Sequence, residues 1–476
     1  MRWPLHLCGT IHDLTLSVSW DRNSLIAQVD RRVGILCDLG VRPGNPVAIV
    51  HGSSAGFVAD LLAVWSCGAV AVLLDATLAE NELSTLVGFV KPAAAISDRT
   101  DHAVPGVDTH CLDEGEAMPR PEYSAGHIDQ LAIVLITSGT TGTPKAVGLS
   151  YRALHNRLNH NRRAIGEAAM ARTLVTLPTS FGHGLIGNVL TPLFAGGDIV
   201  FPPRGATLPR DLGPLIDAHQ ITFLTGVPAL WRMALKMSKQ PRNGSLRRVH
   251  VGSAPLSEQL WRDIVGWTGA ETVNCYGLTE VANWFSGASS LDGEPRSGLV
   301  GRPWGGSAAV LHRSGRINSS GEGELLISSP SLMDGYLHRP ALTRECMIED
   351  WYRTGDLGVI ESDGQIVLQG RLKDEINRAG TKIQPGELDM LIESHPAVEE
   401  ACAFPIPDPV AGEIIAVAVR FKSGMSETSE RLALWCRERI RRAAVPERWY
   451  FVSELPRTPR GKTRRNEVYL ALAGKR

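Results

Sequence analysis

The chain has 476 residues, which is more than one ordinary hydrophobic core can organise, and this length predicts at least two domains. Hydrophobic residues at 43% and charged residues at 21% are typical of a soluble globular protein and argue against a disordered or membrane protein. The formal net charge of −1 provides no global field for nucleic acid or anionic lipid, and no apolar run reaches the roughly 18–20 residues of a membrane helix. The eight Cys are scattered without CxxC or metal-type spacing, which predicts buried thiols in a cytoplasmic protein.

The first three quarters of the chain alternate short apolar runs with helical patterns, as parallel α/β layers do. We expect a strand at 46–52, a helix at 55–68 and a second strand at 69–75. The same texture returns as strand–turn–helix at 222–235 and as a strand followed by a loop at 247–257 and again at 272–280. From 307 to 367 short strands with tight turns predict a β-rich subdomain.

The last hundred or so residues have a different texture. Helical patterns at 387–395, 429–443 and 466–474 are interleaved with strands at 398–406, 413–422 and 447–454. This order predicts a small α+β domain. We therefore expect an α/β protein with a large N-terminal domain (1–370) of α/β layers and a small, mobile α+β C-terminal domain (371–476), joined at the polar segment 370–375.

Two patterns have a plain structural interpretation beside a functional one. The segment GSSAG at 52–56 fits the nucleophile elbow of a serine hydrolase, with Ser54 as nucleophile, but a strand-to-helix turn of small residues explains it better. The run RALHNRLNHNRR at 152–163 has four Arg and two His, and we interpret it as a solvated helical face.

The stretch LITSGTTGTPKAVGLSY at 135–151 follows an apolar strand predicted at 131–136. Gly and hydroxyl residues leave backbone N–H groups and short O–H donors unobstructed, and one Lys adds a cation, which suits a polyphosphate. The segment lacks the Gly-Lys-[Ser/Thr] of a Walker A motif, so an ordinary surface loop is an equal alternative.

Three later motifs are open to two interpretations each. In NCYGLTE, Thr279 and Glu280 follow a strand and could bind Mg²⁺ and phosphate, or could end a solvated hairpin. In WYRTGDLG, Asp356 could accept both ribose hydroxyls or cap its own turn. PRTPRGKTRR at 456–465 is a basic Pro/Gly loop that is either solvated or an anion site.

Taken in order, these motifs resemble the core motifs of the adenylate-forming superfamily, which includes acyl-CoA ligases, peptide-synthetase adenylation domains and firefly luciferase. The resemblance extends from about Asp13 to Arg465 and rests on seven motifs. They are TSGTTGTPK, GSAPLS, YGLTE, GELLISSPSLMDGY, YRTGDLG, GRLKDEINRAGTKIQPGELD and PRTPRGK. The resemblance implies that a carboxylic acid is activated by ATP to an acyl-adenylate with release of pyrophosphate, and that the acyl group then passes to a thiol.

The resemblance also implies roles for individual residues. The phosphate loop would comprise Thr137, Ser138, Gly139, Thr140, Thr141, Gly142 and Lys145. Glu280 would hold Mg²⁺, Thr279 would contact the α-phosphate, and Lys462 would be the catalytic lysine. The adenine and ribose would be held by Gly252, Ser253, Ala254, Pro255, Asn274, Tyr276, Gly277, Asp356 and Arg371.

The second step requires the small domain to move, and the resemblance places the hinge at Lys373. Rotation would carry Lys462 away and bring the face around Gly380 to the active site. Two positions depart from the family pattern: Ala146 replaces the usual Gly after the loop lysine, and Phe181 occupies the usual His position, with His183 two residues later. The acyl pocket is expected to include Phe181, His183, Val227, Ala282 and Trp284.

The segment KDEINRAGTKIQPGELD is similar to the hinge motif of acyl-CoA ligases, which favours an acid–thiol ligase with CoA as acceptor. A stand-alone enzyme that loads the phosphopantetheine of an acyl carrier protein is the close alternative, and the serine hydrolase using Ser54 is the distant one. The expected ligands are ATP, Mg²⁺, a small carboxylic acid and CoA or a carrier protein. A basic patch at Arg439, Arg441 and Arg442 is expected to face water.

Overall fold

A computed structural model describes residues 9–99, 103–113, 127–137, 145–378, 381–457, 463 and 465–472. The strands are β1 (Ile11–Asp13), β2 (Val18–Trp20), β3 (Pro46–Val50), β4 (Val70–Leu73), β5 (Ala94–Ser97), β6 (Thr109–His110), β7 (Leu131–Thr137), β8 (Lys145–Ser150), β9 (Arg172–Leu174), β10 (Asp198–Phe201), β11 (Phe223–Gly226), β12 (Arg248–Val251), β13 (Glu271–Leu278), β14 (Asn283–Ser289), β15 (Leu299–Pro303), β16 (Ser307–Leu311), β17 (Ile317–Asn318), β18 (Gly321–Ser328), β19 (Gly335–Tyr336), β20 (Met347–Ile348), β21 (Trp351–Ile360), β22 (Ile366–Arg371), β23 (Ile376–Arg378), β24 (Thr381–Ile383), β25 (Val398–Asp408), β26 (Gly412–Phe421) and β27 (Arg448–Phe451).

The helices are α1 (Arg22–Asp38), α2 (Ala55–Ser66), α3 (Glu80–Val90), α4 (Tyr151–Ile165), α5 (Thr191–Phe194), α6 (Leu208–His219), α7 (Pro228–Met237), α8 (Glu258–Thr268), α9 (Pro340–Glu345), α10 (Pro385–Glu393), α11 (Ser429–Arg437) and α12 (Arg465–Leu472). A π-helix at His183–Leu190 leads into α5, and single 3₁₀ turns occur at Thr279–Val281, Leu372–Asp374 and Arg442–Ala444. Among the described helices, none has both the length and the apolarity that a membrane crossing requires.

The first α/β unit forms a sheet in the order β19-β8-β7-β4-β3-β5-β6. Strands β3, β4, β5 and β7 are parallel and fully or mostly buried, as expected for apolar runs covered on both faces. Ser54 begins α2 by accepting a hydrogen bond at its Oγ from the N–H of Phe57 at 3.1 Å. The strand–turn–helix interpretation of this segment is confirmed.

A second sheet runs in the order β17-β16-β18-β21-β22-β15-β14-β13-β12-β11-β9-β10-β1-β2, with β20 paired to β21. Its central strands β10, β9, β11, β12 and β13 are parallel, whereas β13 onward is antiparallel. The change of direction at β13 produces the β-rich part predicted at 307–367. Because parallel strands share one carboxyl edge, the ends of β11, β12 and β13 lie side by side there.

The C-terminal residues form a separate sheet, β24-β23-β26-β25 with β27 on β26, and have their own apolar core. The helix predicted at 429–443 is too long, because α11 ends at Arg437. The chain turns there so that Ala444 and Val445 enter this core, and a continuous helix could not deliver them. The α/β fold class is confirmed, whereas the domain boundary at 370/371 stays a prediction.

Candidate functional site

The predicted phosphate loop connects two paired strands. β7 and β8 are antiparallel, and Thr137 stands opposite Lys145 where the ladder ends. Both residues are therefore brought to one end of this hairpin. Five of the predicted loop residues lie outside the described residues, as does the predicted catalytic lysine; they are Ser138, Gly139, Thr140, Thr141, Gly142 and Lys462.

The turn that carries Glu280 is sharply bent at the end of β13. Thr279–Val281 form one 3₁₀ turn, and Ala282 (φ 55°) and Asn283 (φ 100°) follow in the left-handed region. The ladder of β13 with β14 is irregular between Tyr276 and Gly277. A Cβ on Gly277 would lie 1.9 Å from the Asn283 carbonyl oxygen, so this return of the chain requires glycine.

The Glu280 carboxylate is oriented by a tyrosine that sequence reasoning did not single out. The Tyr336 hydroxyl donates to Glu280 Oε1 at 2.8 Å, and the Met333 N–H donates to the Glu280 carbonyl at 2.7 Å. The Lys145 ammonium lies 4.9 Å from the centre of the Tyr336 ring. Burial, followed by the charge of Glu280, raises the pKa of Tyr336, so the phenol keeps its proton and donates it. Lys145 and Glu280, predicted separately, thus meet at Tyr336.

A second group of predicted residues meets at Asp356, which is 4% exposed. The Tyr276 hydroxyl donates to Asp356 Oδ2 at 2.6 Å, and Arg371 Nε lies 2.9 Å from Oδ1. Asp356 and Arg371 are direct neighbours in the β21–β22 ladder. Burial raises the pKa of Tyr276, and the Asp356 carboxylate raises that of Arg371. The result is a fixed carboxylate acceptor flanked by a phenol and a guanidinium.

The loop after β12 is held by His183. Its Nδ1 is 2.7 Å from Ser253 Oγ, and its Nε2 is 2.7 Å from Thr225 Oγ1. Ser253 has φ 67°, and the Gly252 N–H donates to the Gly226 carbonyl at 3.2 Å. Burial lowers the pKa of His183 to about 3, so the ring is neutral and both hydroxyls bond to an uncharged group. Ala254 and Pro255 continue this loop, and Val227 follows β11 beside it.

Asn274 lies on β13 beside Val251 of β12, and its Nδ2 donates to the Leu299 carbonyl at 2.7 Å. The amide predicted to flank the adenine thus also fixes the backbone of β15. Lys373 lies exposed in the 3₁₀ turn that follows β22, and Gly380 lies outside the described residues.

The residues predicted for the acyl pocket divide into two groups. The Trp284 ring lies 5.3 Å from the His183 ring and 4.6 Å from the His250 ring, and Trp284 is 2% exposed. Phe181 is half-buried just before the π-helix that begins at His183. Ala282 instead belongs to the main apolar core between the sheets. Trp284 and His183 are therefore brought together, whereas Ala282 packs in a different apolar cluster.

The interpretation of residues 152–163 as a solvated face is wrong for Arg157 and Asn161, which are fully buried. The Arg157 guanidinium donates to the carbonyls of Val281 (3.2 Å) and Trp304 (3.1 Å) and to Ser331 Oγ (2.6 Å). Burial lowers its pKa to about 9, so it remains charged at neutral pH. Arg157 therefore holds the backbone of the turn that carries Glu280, because it bonds to the carbonyl of the next residue, Val281. The helical spacing of the buried residues of α4 places Arg157 on its buried face, but a charged side chain is ordinarily expected to face water.

The serine hydrolase alternative lacks its central contact. Ser54 Oγ accepts from a backbone N–H, as described above, while His51 bonds through Nε2 to Asp60 (2.8 Å) and through Nδ1 to the Gly52 carbonyl (3.1 Å). Both nitrogens of His51 are thus engaged elsewhere, so His51 is not placed to activate Ser54.

Comparison with known proteins also supports the adenylate-forming family rather than a serine hydrolase. The family model described as "AMP-binding enzyme" matches residues 20–337, and "AMP-binding enzyme C-terminal domain" matches 387–462. An oxalate–CoA ligase of Arabidopsis thaliana is 28% identical over 461 residues, covering 91% of this chain and 90% of the relative. A sulfoacetate–CoA ligase of Cupriavidus necator is 34% identical over 359 residues, covering 74% of this chain and 68% of the relative.

Solved structures agree in fold. The crystal structure of ATP-bound MatB from Rhodopseudomonas palustris superposes with a TM-score of 0.88 at 25% identity, covering 98% of this chain and 99% of that one. Together with the family models, this match confirms the predicted family and fold class. The chain belongs to the AMP-binding enzyme family, as an adenylate-forming, CoA-ligase-like enzyme.

Proposed function

We propose that this chain activates a small carboxylic acid with ATP, releasing pyrophosphate, and transfers the acyl group from AMP to the thiol of CoA. The observation that carries the proposal is the arrangement at the end of β13. Tyr276 bonds to Asp356, and four residues later Glu280 bonds to Tyr336, beside Lys145. One strand end thus connects a candidate ribose acceptor to a candidate phosphate and metal site.

In this assignment Asp356 accepts the ribose hydroxyls of ATP, with Arg371 and Tyr276 holding its carboxylate in place. Tyr276 and the loop of Gly252, Ser253, Ala254 and Pro255 flank the adenine, with Asn274 and Gly277 on the adjoining strand. Thr137 and Lys145 lie at the polyphosphate end with the intervening loop. Thr279 contacts the α-phosphate.

Glu280 fits a magnesium site in its chemistry, because it offers hard carboxylate oxygens beside the Thr279 hydroxyl at a strand end. Among the described residues, the only hydrogen bond to its carboxylate is that from Tyr336. When bound, Mg²⁺ would neutralise phosphate charge. The chain's own contribution is to hold Glu280 in a fixed orientation.

In the first step, a carboxylate oxygen of the acid attacks the α-phosphorus, and the bond from the α-phosphorus to the bridging oxygen breaks. Pyrophosphate leaves with that electron pair. The carboxylate of the acid and the phosphates of ATP repel each other. Each pair of unit charges costs roughly 4 kcal/mol at about 4 Å and an effective dielectric of about 20. Positioned cations are therefore the main requirement, and Lys145 and the predicted Lys462 would supply them.

In the second step, the thiol sulfur attacks the acyl carbonyl carbon, AMP leaves, and the thiol proton passes to solvent. We propose that rotation about Lys373 exchanges Lys462 for the face around Gly380 between the two steps. In the present arrangement the C-terminal residues contact α7 through polar pairs. Arg232 Nη2 lies 2.8 Å from Glu393 Oε2, and Lys236 pairs with Glu399. Each pair joins a partly exposed cation of α7 to a largely buried carboxylate of the C-terminal residues, and both pairs would have to break during the rotation.

The acid is proposed to bind beside His183 and Trp284, with Phe181 and Val227 at the edge of the pocket. The neutral His183 and the large indole favour a short acid, because the indole fills the space that a long chain would need. CoA is favoured over a carrier protein by the relatives' names and by the hinge motif. A cytoplasmic location stays a prediction.

The proposal is tested by acid-dependent exchange of labelled pyrophosphate into ATP with a panel of short acids. Wild type should exchange with at least one acid, and Asp356→Asn should lose about tenfold or more in kcat/KM for ATP, since hydrogen bonds to charged groups contribute ~1.5–3 kcal/mol. Asp363→Asn is the matched control, because Asp363 lies at the exposed turn of the same β21–β22 hairpin and pairs with Arg302. Equal activity of wild type and Asp356→Asn would refute the ribose assignment.

A further inference from the structure

The segment between β18 and α9 contacts both halves of the candidate phosphate site. It overlaps the motif GELLISSPSLMDGY, one of the seven motifs of the resemblance and one for which no role was predicted. β19 pairs with β8, placing Tyr336 opposite Val147, two residues from Lys145. Upstream in the same segment, the Met333 N–H bonds to the backbone of Glu280. The segment therefore links the strand that follows the phosphate loop to the turn that carries the metal ligand.

Tyr336 is the side chain that completes this link. Its ring faces the Lys145 ammonium at 4.9 Å, and its hydroxyl donates to Glu280 Oε1 at 2.8 Å. Tyr336 is 4% exposed, and its hydroxyl lies 3.2 Å from that of Tyr352, which is also buried. A buried, two-sided contact of this kind leaves the ring a single orientation. It can therefore fix two charged side chains of opposite sign at once.

We propose that Tyr336 is a positioning residue for the metal and phosphate site. Its hydroxyl selects the orientation of the Glu280 carboxylate, and its ring fixes Lys145, so that the two groups are arranged before ATP binds. The inference rests on the proposed function, which assigns Glu280 to Mg²⁺ and Lys145 to the phosphates. It goes beyond that function because it assigns a positioning role to Tyr336, which contacts the two residues that would bind these ligands.

The physical reason is preorganisation. A carboxylate on a flexible Glu side chain must lose rotamer freedom when it binds a cation, and the Tyr336 bond imposes that order in advance. Without the hydroxyl, the ordering occurs at binding, and cation affinity falls. A loss of about tenfold is expected, which corresponds to about 1.4 kcal/mol.

Tyr336→Phe tests the hydroxyl, because it keeps the ring against Lys145 and removes only the donor. Binding of Mn²⁺, as a paramagnetic substitute for Mg²⁺, is followed by electron paramagnetic resonance in the presence of ATP. The Mg²⁺ concentration for half-maximal pyrophosphate exchange is measured in parallel. We expect Tyr336→Phe to bind Mn²⁺ about tenfold more weakly and to require correspondingly more Mg²⁺, with kcat at saturating Mg²⁺ nearly restored.

Tyr352→Phe is the matched control, since it removes a neighbouring buried hydroxyl that bonds to Tyr336 rather than to Glu280. Its Mn²⁺ affinity should stay within about twofold of wild type. Tyr336→Leu removes the ring as well as the hydroxyl. Its KM for ATP should be about threefold higher than that of Tyr336→Phe, because a cation–π contact contributes about 0.5–1 kcal/mol.

Unchanged Mn²⁺ affinity in Tyr336→Phe, with only a lower melting temperature, would show that the hydroxyl serves packing and would overturn the inference. The same holds if Tyr352→Phe loses as much affinity as Tyr336→Phe. A wild type that exchanges no pyrophosphate with any acid and binds no Mn²⁺ with ATP would instead refute the proposed function, and the inference with it. The two failures are thus distinguishable in one set of measurements.

Discussion

Replacing Trp284 with Ala should change the length of acid that the enzyme accepts. The indole is 2% exposed, lies between the rings of His183 and His250, and faces Trp304 at 6.5 Å. A Cβ on Gly187 would come within 2.9 Å of it, so the ring also fills the space above the π-helix. Truncation would leave a cavity next to the neutral His183.

The size of the effect follows from apolar burial. Each methylene that enters the cavity contributes about 0.8 kcal/mol, which is roughly fourfold in kcat/KM. An acid longer by three methylenes should therefore gain roughly 60-fold relative to the shortest substrate. The folded state should lose about 3–5 kcal/mol, as in other large-to-small core substitutions. The assay is pyrophosphate release with a series of straight-chain acids.

Trp261→Ala is the control for lost stability, because Trp261 is 1% exposed in a different core cluster and donates to the Thr272 carbonyl at 3.1 Å. Its chain-length profile should equal that of wild type. The same chain-length profile in wild type and Trp284→Ala would refute the placement of Trp284 in the acyl pocket.

Three other predictions use different parts of the chain. Arg157→Met should lower the free energy of unfolding by about 2–4 kcal/mol, since two buried carbonyls lose their donor, whereas Arg152→Met on the exposed side of α4 should change it by less than about 0.5 kcal/mol in denaturant titrations. Burial raises the pKa of Glu393 from its ordinary 4.5 to about 7, so its contribution to stability is present below pH 4.5 and is lost as pH rises through 7. Glu393→Gln should remove this pH dependence, up to about 3 kcal/mol, from the free energy of unfolding measured against pH. Parallel curves for wild type and Glu393→Gln would contradict the prediction. Lys462→Ala should abolish adenylation but keep transfer to CoA from a supplied acyl-adenylate, and equal loss of both half-reactions would exclude an adenylation-specific role.

The residue types alone left more than one use open for the site residues, and the resemblance selected those that the structure brings together. Asp356, Arg371 and Tyr276 were expected near the nucleoside, and the structure places them within hydrogen-bonding distance of one another. Strand β7 and the helices that follow β3 and β11 could be predicted because they contain apolar runs bounded by Gly or Pro. The resemblance assigned roles to these motifs from their order along the chain, but it did not predict which of their side chains contact one another.

Contacts formed by tertiary structure could not be read from the sequence. Tyr336 looks like an ordinary strand aromatic, and only the pairing of β19 with β8 brings its hydroxyl to Glu280. Arg157 looks like a solvated residue of a polar helix, because its partners are backbone carbonyls far along the chain. The end of α11 at Arg437 also depends on which later residues the C-terminal core must receive.

In the proposed reaction, a carboxylate oxygen of the acid attacks the α-phosphorus of ATP. The most direct test uses the best acid from the panel, labelled with ¹⁸O in its carboxylate, together with MgATP and CoA, and analyses the products by mass spectrometry. We expect acyl-CoA together with AMP that carries one heavy oxygen from the acid. Heavy oxygen in inorganic phosphate with formation of ADP, or unlabelled AMP, would contradict it.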